Sequence, residues 1–170
     1  NEIGRGICLE GSGITASACF QGFSPGFLDD ILGTDVGFYL QGVDSGTGII
    51  GLGKTLARCA RQSGLPMEAI LLFSHLHHDH TQGFPFFVPA YIPNTKLHIY
   101  GPGGTPETLN HVLDHNQSSE TFPVSLRDMS ASKDIQSVRE SQVIVWDEDN
   151  VYLAESTSRL SDEAVVIRIY

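Results

Sequence analysis

Cationic side chains are scarce in this chain. Its 170 residues carry 10 Lys and Arg against 20 Asp and Glu, a formal net charge of −10 at pH 7. Nucleic-acid binders ordinarily turn a basic face to phosphates, so this balance argues against a broad phosphate-binding surface, and no nucleic-acid partner is expected. Cysteine is scarce too. Cys8, Cys19 and Cys59 are odd in number and widely spaced, without metal-type spacing. They fit free thiols in a reducing compartment better than a disulfide framework. No apolar run approaches the roughly 20 residues of a membrane span, so no membrane partner is expected either. Internal repeats, low-complexity tracts and a signal peptide are all missing. The chain begins at Asn1 rather than Met, as a processed or trimmed chain would. Cytoplasm is the expected compartment. With 41% apolar residues, the length fits a single domain over residues 1–170 that can bury a core.

The periodicity predicts a layered α/β (α+β) domain. The glycine-rich stretch before residue 36 is hard to place, although Ala18-Cys19-Phe20 has strand character. Val36 to Val43 reads as a strand, with Phe38, Leu40 and Val43 as apolar positions, running into the turn Asp44-Ser45-Gly46-Thr47-Gly48. Ile49 to Gln62 reads as a helix. Leu52, Leu56, Cys59 and Ala60 share one face, and Gly64 and Pro66 are stop signals. The apolar run Ala69–Phe73 reads as a buried strand, and Lys96–Tyr100 alternates as another. Thr105-Pro106-Glu107 starts a helix, with a capping hydroxyl, proline at the first helical position and an acid in the first turn, and that helix runs to about Asn116. From Ile135 the pattern turns to strands: Ile135–Val138, Val143–Trp146, Val151–Ala154 and Ala164–Ile169. Strands, then βα units, then strands again point to layers.

Chemistry concentrates in Ser74-His75-Leu76-His77-His78-Asp79-His80, followed by Gly83. The spacing H-x-H-x-D-H gathers imidazoles and a carboxylate, the side chains that hold zinc and similar divalent ions. It lies on the loop leaving a buried strand, where enzymes tend to place their chemistry. His75 and His77 are two apart and point the same way on an extended loop, so they can share one ion. Asp79 and His80 are adjacent and diverge unless the loop curls, in which case they can face a second ion. Two ions about 3.5–4 Å apart hold a bridging hydroxide, and a bound ion lowers the pKa of water from about 15.7 to about 7. Asp79 can orient that hydroxide or take up a proton, which makes it the candidate catalytic residue. His78 is not assigned as a ligand. A solvated, metal-free histidine loop is the bland alternative, and four donors in six residues after a buried strand weigh against it.

The run Ser74 to Gly83 resembles the signature of the metallo-β-lactamase superfamily. Val43-Asp44-Ser45-Gly46-Thr47-Gly48 resembles that family's Asp-Gly turn after the preceding strand. Gln82-Gly83-Phe84-Pro85-Phe86-Phe87, Pro89-Ala90-Tyr91-Ile92-Pro93 and Ile99-Tyr100-Gly101-Pro102 resemble a bacterial branch of small metal-dependent hydrolases near the phosphodiesterase and phosphonate-pathway members. The resemblance is strong from about Val36 to Pro102 and weaker from Phe122 onward. It implies an αββα sandwich with a pair of divalent ions, zinc first and manganese or iron next, at the edge between two sheets. It assigns His75 and His77 to the first ion, Asp79 and His80 to the second, and Asp44 to a role behind them, orienting a ligand histidine or the loop backbone. A plain turn aspartate is the alternative for Asp44.

The same resemblance implies later ligands: a histidine, a bridging aspartate and a final histidine. No histidine follows His115. The closing Ala164–Tyr170 resembles the strand just after the first late histidine, and Leu160-Ser161-Asp162-Glu163 occupies its place. The C-terminal part of the sandwich is therefore expected to be missing, through a trimmed chain, a second half outside this numbering, a partner chain that supplies the rest or a degenerate member, with Asp162 or Glu163 as an oxygen donor only the minority alternative. Other features carry less. His111 and His115 share a helix face, read as solvated or as a lid. His98 reads as a packed or surface histidine. Phe84, Phe86, Phe87 and Tyr91 suit a substrate pocket and a core about equally. Gly101-Pro102-Gly103-Gly104 reads as a plain turn, and Gly51-Leu52-Gly53-Lys54-Thr55 lacks the spacing of a phosphate loop. The expected activity is hydrolysis by a metal-bound hydroxide, with a small anionic phosphodiester as substrate through the family branch alone. β-Lactam and thioester hydrolysis use the same core. The competing expectation is an incomplete or degenerate module that binds metal or a partner without catalysis. A homo-oligomer is left open.

Overall fold

The computed structural model describes residues 7–10, 39–64, 66–102, 108–120, 122–147, 150–155 and 165–169. The expected strand Ala18–Phe20, residues 36–38 of the next strand, the helix start Thr105-Pro106-Glu107 and the substitute donors Asp162 and Glu163 lie outside these residues. The chain divides near Val138 into two compact units.

The larger unit holds a four-stranded sheet in the order β2-β3-β4-β5, where β2 is Tyr39–Val43, β3 Met67–Leu72, β4 Thr95–Pro102 and β5 Ser132–Val138. β2, β3 and β4 run parallel, with Tyr39 opposite Glu68 and Met67 opposite Thr95. Helix α1, Gly48–Ser63, connects β2 to β3. It stops where the sequence says it should. Gly64 takes the left-handed conformation at φ 70°, which costs glycine nothing, and its N–H bonds the Ala60 carbonyl at 2.9 Å. Helix α2, His78–Thr81, and two 3-10 turns, Phe84–Phe86 and Val88–Tyr91, fill the passage from β3 to β4. Helix α3, Thr108–Asn116, follows β4.

The period of two along the strands decides where the core lies. Ala69, Leu71 and Phe73 from β3 and its exit, with Leu97 and Ile99 from β4, pack with Leu52 and Leu56 of α1 and Leu109 and Leu113 of α3. Phe84 and Phe87 of the turns complete this cluster. Each of the leucine, isoleucine and phenylalanine side chains contributes about 1.5–3 kcal/mol by leaving water. The intervening positions include Glu68, Lys96 and His98, which are paired with one another. Glu68 Oε1 lies 2.6 Å from His98 Nε2 and 3.0 Å from Lys96 Nζ. His98 is the packed alternative of the two expected for it, 2% exposed.

The smaller unit holds a second sheet in the order β1-β8-β6-β7, all antiparallel, made of Ile7–Glu10, Val165–Ile169, Gln142–Asp147 and Asn150–Glu155. Val143, Ile144 and Val145 of its inner strand β6 are buried. Every strand expected after Ile135 is present, shifted by one to three residues. β5 starts at Ser132 because pairing with β4 extends past the apolar residues that mark it in the sequence. No helix among the described residues is long and apolar enough to cross a membrane.

Candidate metal centre

The histidine loop leaves the carboxyl end of a parallel sheet, the edge at which open α/β sheets bind ligands. Main-chain bonds fix its shape. Beyond β2, Asp44 turns the chain with φ 62°, a left-handed conformation that aspartate tolerates better than most residues. Its N–H bonds the Leu72 carbonyl at 2.6 Å, which ties the exit of β2 to the exit of β3. Ser45 then reaches α2 from both of its peptide groups. Its N–H donates to the His80 carbonyl and its carbonyl accepts from Gly83 N–H, each at 2.7 Å. Glycine is required at 83 because a Cβ there would lie 2.2 Å from the Gly46 carbonyl oxygen. From the far side, Asn116 at the end of α3 donates to Thr81 Oγ1 at 3.0 Å.

The loop curls at His78, where α2 begins, and the curl decides which side chains meet. One oxygen or nitrogen donor from each of His75, Asp79 and His80 falls within 4.8 Å of the others. The rings of His75 and His80 lie 3.8 Å apart between centroids, tilted by 49°. His77, in extended conformation just before α2, is exposed and sets its ring edge-on to His75 at 4.7 Å. The three-donor group thus joins one member of the expected pair His75/His77 to both members of the pair Asp79/His80. One helical turn brings the adjacent side chains of 79 and 80 to the same ion-sized space, which straight-loop geometry does not do.

Asp44 stands behind the group. Its Oδ1 accepts the Ser74 N–H at 2.8 Å, and its two oxygens lie 3.0 and 2.8 Å from Ser74 Oγ. Its Oδ2 lies 2.8 Å from His80 Nδ1. A carboxylate only accepts, so Nδ1 of His80 carries the hydrogen, and Nε2 of the neutral ring is left with a lone pair. That Nε2 faces Asp79 Oδ2 at 3.3 Å. Two acceptors held this close repel unless a cation or a proton lies between them. Two imidazole nitrogens and a carboxylate are donor types that hold divalent ions, and the carboxylate is largely exposed. The residues present fit a divalent ion.

Neighbouring residues sort themselves by burial. Phe84 and Phe87 belong to the core, whereas Phe86 is 52% exposed and meets Phe122 edge-on at 5.2 Å. Tyr91 donates its hydroxyl to the Pro85 carbonyl, and burial raises its pKa. His111 and His115 sit on the exposed face of α3 with ring centroids 6.3 Å apart and join no donor group among the described residues. Gly51 to Thr55 lies inside α1, as the sequence predicts. Sequence reasoning missed the part played by Ser74, which stands in the motif but whose hydroxyl acquires its partners only through the fold.

Comparison with known proteins gives one partial likeness. Over 77 residues, 43% of this chain, the sequence is 29% identical to a curated protein of Oceanobacillus iheyensis (strain DSM 14371). That relative is a ribonuclease Z. The match covers 25% of the relative, so the chain spans about a quarter of the length of the curated protein it matches. No protein-family model matches the chain, and no solved structure matches it.

Proposed function

We propose that this chain carries the metal-binding loop of a metallo-β-lactamase-fold hydrolase, an αββα sandwich that cleaves a small phosphodiester. The observation that carries the reading is the convergence of His75, Asp79 and His80 within 4.8 Å, with His80 anchored from behind by Asp44. These three residues would hold a divalent ion, zinc by the donor set, with manganese or iron as alternatives. When bound, the ion supplies Lewis acidity toward a phosphoryl oxygen and lowers the pKa of a water. Asp44 holds the His80 ring so that Nε2 faces the site. Asp79 is exposed, and the oxygen not directed at His80 is free to orient an attacking water or accept its proton. His77 stands beside the group as a donor to a second ion, whose remaining ligands would come from outside it. The relative's name is that of a nuclease, an enzyme of phosphodiester bonds, and the net charge of −10 favours a small substrate over a polyanion.

One observation favours a second reading. Among the described residues a single three-donor group is assembled, and His77 stands beside it rather than within it. The chain would then bind metal or a partner without turnover. Metal analysis after equilibration with zinc or manganese, together with hydrolysis of bis(p-nitrophenyl) phosphate, separates the two. Bound metal with turnover that disappears in His80→Ala and His77→Ala supports the hydrolase, and two equivalents per chain support the ion pair. Bound metal without turnover supports the module. No bound metal, with no turnover, overturns the hydrolase and leaves the partner-binding form of the module.

A further inference from the structure

We propose that Ser74 is a positioning residue that sets the tautomer of His75, so that one carboxylate, Asp44, prepares two ligand rings at once. Ser74 Oγ carries one hydrogen and lies within bonding distance of three acceptor-capable atoms. They are Asp44 Oδ2 at 2.8 Å, Asp44 Oδ1 at 3.0 Å and His75 Nδ1 at 2.9 Å. The carboxylate can only accept, and it is the stronger acceptor, so the hydroxyl hydrogen goes to Asp44. Oγ then meets His75 Nδ1 with lone pairs alone. That contact is a hydrogen bond only if Nδ1 carries the hydrogen. In the neutral ring this leaves Nε2 bare, as the direct bond from Asp44 leaves Nε2 of His80 bare. Free imidazole side chains in water prefer the opposite tautomer, with the hydrogen on Nε2. The hydroxyl therefore reverses an intrinsic preference on the ring it touches.

Two features of the fold make the relay stiff. The Ser74 N–H is itself bonded to Asp44 Oδ1 at 2.8 Å, which holds the hydroxyl over the carboxylate even before the side chain contributes. Asp44 is pinned in turn by its own N–H on the Leu72 carbonyl. The consequence for ion binding rests on the function proposed above. The tautomer does not, because it is a property of the metal-free chain.

The test is long-range ¹H–¹⁵N correlation spectroscopy of the histidine rings in the metal-free chain, at a pH where both are neutral, alongside zinc affinity by competition with a chromophoric chelator. In the parent protein His75 and His80 both carry the hydrogen on Nδ1. In Ser74→Ala, His75 shifts toward the Nε2–H form while His80 keeps its own, and zinc affinity falls about 10- to 100-fold. Ser74→Thr restores both readings. An unchanged amide spectrum away from the loop shows that Ser74→Ala still folds, and the unaltered His80 signal is the control within the site. The proposal is overturned if His75 carries its hydrogen on Nε2 in the parent protein, or if Ser74→Ala leaves its tautomer unmoved. If the tautomer moves as stated and no variant binds zinc, the relay stands and the metal-centre reading fails.

Discussion

Asp44 is the residue on which most of the geometry converges, and its backbone explains why few others would serve. At φ 62° it occupies a conformation that asparagine also tolerates, so Asp44→Asn keeps the turn while exchanging the charged acceptor for an amide. We expect the chain to fold and zinc affinity to fall about 10- to 100-fold by chelator competition. Glu68 plays a purely structural part. Glu68→Ala leaves His98 Nε2 buried without its acceptor and should cost about 1–3 kcal/mol in denaturant unfolding. Tyr100 gives the opposite result. Its phenol is buried and unpartnered among the described residues, and burial, with Asp134 adding to it, raises its pKa far above the ordinary value of 10.0. The folded state therefore keeps that proton where the unfolded chain releases it. The contribution is intact below about pH 10 and is lost as pH climbs from there toward the folded pKa. Tyr100→Phe should be neutral or stabilising near pH 7, and its stability should fall less steeply above pH 10, as urea midpoints across that range would show. The donors themselves were legible because H-x-H-x-D-H is a property of adjacent residues. The Ser74 hydroxyl was not, since its partner Asp44 lies 30 positions away and meets it only after β2 and β3 align.

Among the elements, the long ones announced themselves and the short ones did not. Helix α1 was readable from a recurring apolar face and its glycine stop. Helix α2 has four residues, too few to show a period, and two of them, Asp79 and His80, are there as donors rather than for packing. Its position is enforced from outside, by Ser45 on one side and Asn116 on the other. The weakest point of that arrangement is Gly83. In Gly83→Ala the new methyl would meet the Gly46 carbonyl at 2.2 Å, and main chain rather than a flexible side chain must yield. We expect a loss of about 1–3 kcal/mol in stability and weakened zinc binding in the same variant, because the shift passes directly to His80. Leu71→Ala, 1% exposed in the core under α1, should cost about 2–5 kcal/mol by thermal or chemical unfolding and leave the donor geometry in place.

At the level of the whole molecule, the sequence marked the strands from β2 onward, missed β1 in its glycine-rich opening, and left every strand's partners open. β1 pairs with β8 across nearly the full length of the chain, a choice that no local pattern encodes. The mixture of a parallel sheet with helices and an antiparallel sheet agrees with the α/β reading. A site assembled from the folded state alone should couple metal to stability. At zinc about 100-fold above its dissociation constant, unfolding should become harder by about 2.7 kcal/mol, which in a chain of this size raises the thermal midpoint by about 5–10 °C. Chelator should reverse the shift, and lowering the pH should shrink it, because the imidazoles must shed protons to bind. The main-chain ties from Asp44 and Ser45 to Leu72, His80 and Gly83 have one more implication, for anyone wishing to move this centre into another scaffold. A synthetic peptide covering Ser74 to Gly83 would contain every donor and nothing to shape them. The smallest transplantable piece is Tyr39 to Asn116, which keeps both strand ends, the helix between them and the tie from Asn116 to Thr81.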